Sequence, residues 1–264
     1  MASSNAAKSA SRREQLRAAR EREAAAARRK RITVVAVAVV VAAVLVAVIA
    51  MAAGGVFGKR SGGSGATSTV VSVRPPHASP GDKGVFSADN VNDSAPVLTV
   101  IDDFQCPICH TYETVFGPVF ESLAKKGETR LEYRTRYFLD INLKNDSSVR
   151  AARAAAIADT FGKYQEYHDT VFSNQPAKEG TGYTDDQLRN AFPQAAGITG
   201  DDLSTFQSSY DKGEMNAFVD AVDRQAQADG YNGTPTFLAN DRKIDMPRKT
   251  NPTEDDIMKL VRGV

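Results

Sequence analysis

The sequence predicts an α/β domain with an inserted helical subdomain, preceded by a single N-terminal transmembrane helix. The first observation is an uncharged run of 22 residues at 32–53. The second is a β-branched strand pattern that leads directly into Cys106-Pro107-Ile108-Cys109 and then into a helix with one apolar face. The third is that strand patterns return only after a long helical stretch at about 146–229, an order typical of α/β folds.

The run at 32–53 is apolar except for Thr33, and a helix of this length spans a hydrocarbon core of about 30 Å. Four basic residues at 28–31 abut its start, whereas only Lys59 and Arg60 follow its end. The positive-inside rule therefore predicts a cytoplasmic tail at 1–31 and an extracytoplasmic remainder at the cell membrane. The alternative is a cleaved signal peptide, although both the apolar run and the leading region are longer than usual for one.

The charge distribution separates the tail from the rest of the chain. Residues 1–31 hold ten Lys and Arg against three Asp and Glu, which leaves 23 basic and 29 acidic residues in the remainder. A basic surface for nucleic acid is therefore not expected beyond the tail. Residues 54–83 are rich in Gly, Ser, Pro and Thr and are predicted to be a flexible linker, so the folded domain is expected at 84–264.

Within that domain the elements are predicted in the order strand, helix, strand, helical block, hairpin and helix. A Gly-Pro pair at 117–118 is expected to kink the first helix, and a capping box at 184–187 to open one helix of the block. The predicted elements are a strand at 96–101, a helix from the cysteines to Gly127, a strand at 129–139, helices at 147–161, 164–172, from 184 and at 214–228, strands at 236–239 and 243–246, and a helix from 253 to about 261.

Cys106 and Cys109 are the only cysteines, which suggests a redox or metal device rather than a disulfide framework. If Cys106 is the N-cap, Pro107 occupies the first helical position, where its missing N–H costs nothing. The helix N-terminus then favours the Cys106 thiolate. Cys109, one turn further on and more buried, is positioned to attack a mixed disulfide on Cys106.

Three other interpretations of the pair were weighed. With His110 the motif is C-x-x-C-H, the attachment pattern of c-type haem, although the preceding strand and the internal proline fit a redox helix better. A zinc site would need two more ligands from few histidines. A structural disulfide closing so short a loop would stabilise little. The sequence therefore predicts no cofactor and no metal ion.

Four further polar residues are candidates near the motif. His168 shares a helical stripe with apolar residues and is expected to be packed or at a rim, while His110 would add positive potential when protonated. Asp102 and Asp103 are turn residues or proton-relay carboxylates, and the turn interpretation is favoured.

Two motifs carry a family resemblance. Asp103-Phe104-Gln105-Cys106-Pro107-Ile108-Cys109, preceded by Asp93-Ser94-Ala95-Pro96-Val97, resembles the DsbA family of thioredoxin-fold thiol–disulfide oxidoreductases. Gly233-Thr234-Pro235-Thr236-Phe237 is similar to the family's second signature, a loop whose proline is cis.

The resemblance implies a thioredoxin fold over 84–264, with Cys106 as nucleophile and Cys109 as resolving thiol. Thr234 and Pro235, together with Ile108, would bind an extended substrate chain by strand addition. Pro107, His110 and Asp103 would tune the redox properties. Two departures matter: the dipeptide between the cysteines lacks the histidine of the strongest oxidants, and Val100 stands where many thioredoxin-fold proteins carry a buried acid.

The predicted function is extracytoplasmic disulfide introduction into translocated proteins by a membrane-anchored enzyme. The family likeness suggests reoxidation by a membrane partner of the DsbB or vitamin K epoxide reductase type. The nearest alternative is a disulfide reductase or isomerase on the same fold. From another class, the alternative is a tethered non-catalytic binding module or a c-type haem carrier.

Overall fold

The computed structural model describes residues 73–247 and 250–263. The predicted cytoplasmic tail, the predicted membrane helix and the first part of the predicted linker lie outside these residues. Within the part that is described, no helix is long and apolar enough to cross a membrane.

A mixed sheet lies at the centre of the domain. Its strands in the described residues are β1 (Val85–Phe86), β2 (Val97–Asp103), β3 (Arg130–Arg136), β4 (Thr236–Ala239) and β5 (Arg242–Ile244). They lie in the order β1-β3-β2-β4-β5, with β2 parallel to β3 and the other neighbours antiparallel. The central strand β2 is buried from its second residue onward, which explains why its first five residues are apolar except for Thr99.

Helices follow β2 and fill the stretch between β3 and β4. In the described residues they are α1 (Pro107–Lys125), α2 (Leu139–Leu143), α3 (Ser147–Ala158), α4 (Tyr164–Ser173), α5 (Phe192–Ala195), α6 (Gly200–Lys212), α7 (Asn216–Ala228) and α8 (Glu254–Arg262). A 3-10 turn (Asp159–Phe161) follows α3 and a π-helical turn (Gln187–Ala191) precedes α5.

Helix α1 continues through Gly117 and Pro118, so the expected interruption does not end it. Proline removes a single backbone hydrogen bond, and the apolar face on both sides of it stays buried against the core, at Phe116, Phe120 and Leu123. Gly127 closes the helix as predicted, since it adopts a φ of +70° and donates its N–H to Ala124 O at 3.0 Å.

The helical block differs from the expectation in two places. Helix α6 was not predicted, because its sequence is largely polar and Phe206 is its one buried residue within the described chain. The helix predicted at 147–161 is α3 followed by a 3-10 turn; Asp146 precedes it as the N-cap residue, and both Ser147 and Ser148 in its first turn are buried. The predicted capping box is present, because Thr184 and Gln187 exchange hydrogen bonds between side chain and backbone.

Contacts with the domain begin before the predicted start at 84. The His77 N–H and Nδ1 lie 2.8 and 2.9 Å from the Asp159 carboxylate, and Ala78 forms a β-bridge with Val85. Gly84 passes so close to β3 that a Cβ there would overlap the Tyr133 carbonyl oxygen. The Pro- and Gly-rich composition of this segment carries no periodic pattern, so the sequence indicated only a linker.

The chain closes with a hairpin and a capped helix, as predicted. Asn240 and Asp241 form the turn between β4 and β5, and both adopt positive φ, as a two-residue type I′ turn requires. The Thr253 side chain accepts the Asp256 N–H at 3.2 Å, and the Asp256 carboxylate accepts the Thr253 N–H at 3.0 Å. This reciprocal pair fixes the start of α8.

Candidate active site

The two cysteines occupy the first turn of α1, directly after β2. Cys106 is the N-cap with extended backbone angles, and Pro107 is the first helical residue. The Cys106 N–H donates to Asp103 O at 2.9 Å, which turns the chain from the strand into the helix. The Cys109 N–H donates to the Cys106 sulfur at 3.4 Å. The predicted N-cap geometry is therefore present.

The two thiols have opposite acid strengths. A hydrogen bond from Cys109, reinforced by the Cys109 and Ile108 N–H groups and by Thr234, outweighs burial and lowers the pKa of Cys106 to about 6. Burial, then the neighbouring Cys106 and the charge of Asp102, raise the pKa of Cys109 well above its usual value. At neutral pH the pair therefore holds one thiolate, on Cys106, and one thiol.

The loop before β4 lies against the Cys106 sulfur. Thr234 O is 3.6 Å from Cys106 Sγ, and the Thr234–Pro235 peptide bond is cis. The Thr236 hydroxyl donates to Gly233 O at 2.8 Å and closes this loop on itself. The structure thus brings together the two motifs that the sequence singled out, although 128 positions separate Cys106 from Thr234.

An open groove of about 470 Å³ runs beside the cysteine pair. Ile108, Tyr112, Pro235, Phe237 and Met246 contribute to its walls. Ile108 is 58% exposed, whereas Cys106 is only 6% exposed. The predicted substrate-binding residues Ile108, Thr234 and Pro235 all line this groove.

His110 contacts the helical block rather than solvent alone. Its Nδ1 lies 2.7 Å from Phe172 O, so the ring N–H donates to a carbonyl at the end of α4. This hydrogen bond ties the first turn of α1 to α4.

Asp102 is not a turn residue, which corrects the favoured interpretation. It is the sixth residue of β2, it is 1% exposed, and its Oδ2 lies 2.7 Å from His168 Nε2. Strand alternation directs this carboxylate into the core towards α4, and the motif alone did not reveal that direction. His168 is packed, as predicted, with its ring centroid 4.2 Å from that of Tyr133.

The Asp102–His168 pair is an ionic contact inside the core. Burial lowers the pKa of His168, but the hydrogen bond and charge of Asp102, with Asp169 and Glu113, outweigh it and raise that pKa to about 10. Because Asp102 also raises the pKa of Cys109, its carboxylate is electrostatically linked to the resolving thiol. Asp102 thus supplies a buried acid that the sequence lacks at Val100.

Asp103 has the turn role that was predicted for it. Its Oδ1 accepts the Gln105 N–H at 2.9 Å and the Ser148 hydroxyl at 2.5 Å, and its Oδ2 accepts the Leu139 N–H at 3.2 Å. Burial raises the pKa of Asp103 to about 7. The carboxyl group joins the end of β2 to α2 and α3.

Sequence reasoning missed two side chains that hold the motif in place. Gln175 Nε2 donates to Phe104 O at 2.8 Å and to Cys106 O at 3.1 Å. The Tyr183 hydroxyl donates to Phe104 O at 2.7 Å. Both residues follow α4 in a stretch without a motif, so no local signal could have found them.

A zinc site at the cysteine pair would need further ligands, and the three histidines considered for that role are hydrogen-bonded elsewhere. His77 pairs with Asp159, His168 with Asp102, and the His110 N–H with Phe172 O. These are all the histidines of the chain. Each histidine therefore has one ring nitrogen engaged away from the two sulfurs.

Comparisons with known proteins identify similar proteins. The family model described as Thioredoxin matches residues 92–261. Among solved structures, the chain is similar to the reduced form of the disulfide bond oxidoreductase DsbG from Mycobacterium tuberculosis, with 26% sequence identity, a TM-score of 0.54 and coverage of 71% of this chain and 90% of that chain. Comparison with curated proteins gives no match.

The chain is also similar to two further solved structures. Oxidised DsbA from Mycobacterium tuberculosis is 25% identical with a TM-score of 0.50, covering 62% of this chain and 85% of that one. MdbA, a thiol–disulfide oxidoreductase from Actinomyces oris, is 19% identical with a TM-score of 0.57, covering 70% of this chain and 89% of that one. At the lower identity the likeness shows the fold alone.

Proposed function

The chain belongs to the thioredoxin family and is a thiol–disulfide oxidoreductase of the DsbA type, and from this premise we propose that it introduces disulfides into proteins outside the cytoplasm. The observation that carries the proposed direction is the lowered pKa of Cys106, about 6. A stabilised thiolate lowers the free energy of the reduced enzyme, and a dithiol that is stable when reduced makes an oxidising disulfide.

The reaction begins with the Cys106–Cys109 disulfide. A substrate thiolate attacks Cys106 Sγ, the bond to Cys109 breaks, and Cys109 leaves as a thiolate. A second substrate thiolate then attacks the substrate sulfur of the mixed disulfide and expels Cys106 as a thiolate. Two electrons pass from substrate to enzyme. Because its pKa is raised, the Cys109 thiolate takes up a proton, which the second substrate thiol releases when it becomes a thiolate, while the low pKa of Cys106 makes it the better leaving group.

Substrate binding is assigned to the groove beside the cysteines. An extended substrate chain would pair its backbone with the loop at Thr234 and Pro235 and cover the exposed Ile108. Backbone pairing demands little of the substrate sequence, which suits an enzyme that acts on many translocated proteins.

The proposed location follows from the apolar run at 32–53 and the basic residues before it, which support a single-pass anchor with the catalytic domain outside. Each catalytic cycle leaves the enzyme reduced, so a partner must accept two electrons. We assign this role to a membrane protein of the DsbB or vitamin K epoxide reductase type, since an anchored enzyme meets such a partner within the bilayer plane.

The deciding experiment is the reduction potential of the Cys106–Cys109 pair in the full chain, equilibrated against glutathione. A value near or above about −180 mV supports the oxidase direction. A value near or below about −270 mV would instead assign a reductase or isomerase on the same fold.

The role of Cys106 has its own test. Cys106→Ser is expected to abolish oxidation of a reduced test protein, and retained oxidation would exclude the mechanism. Cys109→Ser is the matched variant. It keeps the nucleophile but lacks the resolving thiol, so reaction with a disulfide substrate should stop at a mixed disulfide that is visible on a non-reducing gel.

A further inference from the structure

A second cluster of polar side chains lies between α1 and α4, on the far side of His168 from Asp102. Glu113 of α1 and His168 and Asp169 of α4 each offer one ligand atom, and these atoms lie within 4.8 Å of one another. His168 Nδ1 is 3.6 Å from Asp169 Oδ1 and 4.0 Å from Glu113 Oε1. These separations are too long for direct hydrogen bonds.

Two of the three atoms are buried without a hydrogen-bond partner among the residues that the structure describes. They are His168 Nδ1 and Glu113 Oε1, on side chains that are 0% and 9% exposed. Buried polar atoms in folded proteins nearly always have a partner, so orphan atoms that face each other call for a ligand.

The other ring nitrogen of His168, Nε2, already has a hydrogen-bond partner. His168 Nε2 lies 2.7 Å from Asp102 Oδ2, in a contact buried on both sides. Metal-binding histidines in proteins characteristically donate one ring N–H to a carboxylate and present the other nitrogen to the metal. The Asp102–His168 pair has this arrangement, and Nδ1 is directed towards two further carboxyl groups.

Two of the three side chains, Glu113 and Asp169, line a cavity at the surface. This open cavity has a volume of about 250 Å³, with Glu113, Gly117, Glu121, Asp169 and Phe172 among its walls. Glu113 folds across Gly117, where a Cβ would come 2.5 Å from Glu113 Oε1. The glycine therefore leaves the space in which this carboxyl group lies against α1.

We propose that Glu113, His168 and Asp169 bind a zinc ion, which replaces the proton on His168 Nδ1 and releases it to solvent, with water completing the coordination. Zinc takes nitrogen and carboxylate ligands at about 2.0–2.2 Å in tetrahedral geometry, which places ligand atoms about 3.3–3.5 Å apart. The two separations measured from His168 exceed this by roughly 0.1–0.7 Å. All three ligand atoms lie within 4.8 Å of one another, so binding requires the Glu113 and Asp169 side chains to rotate towards the ion. Calcium and magnesium prefer oxygen ligands alone and more of them.

This site differs from the zinc site considered for the cysteines, since it uses neither sulfur. It is nevertheless linked to the redox pair through one side chain. Asp102 bonds the zinc-binding histidine and raises the pKa of Cys109. The zinc proposal does not depend on whether the enzyme oxidises or reduces its substrates.

The test is a calorimetric titration of the oxidised full chain with zinc chloride, because in the disulfide form neither cysteine can bind the ion. We expect one zinc ion per chain. Glu113→Gln and Asp169→Asn should each weaken the affinity by at least about tenfold. Glu166→Gln is the matched control, since this residue is also on α4 but is exposed and paired with Lys163.

A second readout is cobalt, which fills zinc sites and absorbs visible light in tetrahedral coordination. Both substitutions should remove this absorption while the circular dichroism of the fold stays unchanged. The proposal is overturned if the oxidised chain binds no zinc, if the two variants bind as tightly as the parent chain, or if calcium displaces zinc from the site.

Discussion

The pKa of the thiol is lowered at Cys106 and raised at Cys109, because the two residues occupy different places on one helix. Cys106 is the N-cap and receives N–H groups from the first turn. Cys109 lies one turn later in the core, where burial disfavours its charge. A three-residue step along a helix end thus separates a nucleophile from a resolving thiol.

This difference predicts the pH profile of alkylation. In the reduced chain, the rate of Cys106 reaction with iodoacetamide should rise about tenfold per pH unit below its pKa and level off above it, with a midpoint near pH 6. In Cys106→Ser the remaining Cys109 should react slowly throughout the range. Mass spectrometry of timed samples measures both rates, and a midpoint near pH 9 would contradict the assignment.

Ile108 offers a second prediction at the residue scale. It is exposed between the cysteines, where a histidine would bring a positive charge close to the Cys106 thiolate. Ile108→His should lower the Cys106 pKa further and make the reduction potential less negative, by about 30 mV for each unit of pKa. Ile108→Gln is the control for polarity without charge, and an equal shift in both variants would contradict the electrostatic explanation.

At the scale of elements, the last two residues of strand β2, Asp102 and Asp103, form hydrogen bonds with different helices. Neighbouring residues of a strand point to opposite faces, so Asp102 faces α4 and Asp103 faces α2 and α3. The two carboxyl groups therefore connect the end of β2 with different helices. Ser148 is central to the second connection, because it donates to Asp103 and accepts from Gln105 Nε2 at 2.9 Å.

Ser148→Ala should destabilise the fold by about 1–3 kcal/mol, since it leaves buried polar groups with fewer partners. Urea unfolding of the oxidised chain measures this difference. Ser204→Ala on α6 is the control, because that serine is exposed, and its free energy of unfolding should stay within about 0.5 kcal/mol of the parent. If both substitutions lower the free energy of unfolding equally, the hydrogen bonds of buried Ser148 do not stabilise the fold more than those of an exposed serine, and the prediction is wrong.

At the scale of the whole molecule, the redox state and the stability of the fold are linked. The lowered pKa of Cys106 stabilises only the reduced form. This contribution is complete above the pKa of an unfolded thiol, about 8.5, and is lost as the pH falls through about 6. The disulfide adds little to the stability of the oxidised form, because the loop that it closes is very short.

The reduced chain should therefore unfold at a higher urea concentration than the oxidised chain at pH 8. The difference in the free energy of unfolding should shrink by about 1–2 kcal/mol between pH 8 and pH 5, allowing for partial solvent screening of the sulfur. Parallel urea titrations of both forms measure it. A more stable oxidised form at both pH values would contradict the proposed oxidase direction.

Local patterns predicted the cysteine helix and its surroundings well. The strand before the motif, the Cys106 cap, the closing Gly127 and the capping box at 184–187 depend on residues within a few positions of one another, and all are present. The predictions failed where the local pattern was weak. Helix α6 has a single buried apolar residue among those described, and β1 is two residues long.

The sequence by itself therefore determined the redox pair, its place at a helix N-terminus and the order of the main elements. Only the tertiary structure decided that Asp102 pairs with His168, that Gln175 and Tyr183 hold the motif, and that Glu113 meets Asp169. Local signals follow from the geometry of one strand or helix. Contacts between distant residues follow from which faces pack together, and that is settled by burying the whole apolar surface at once.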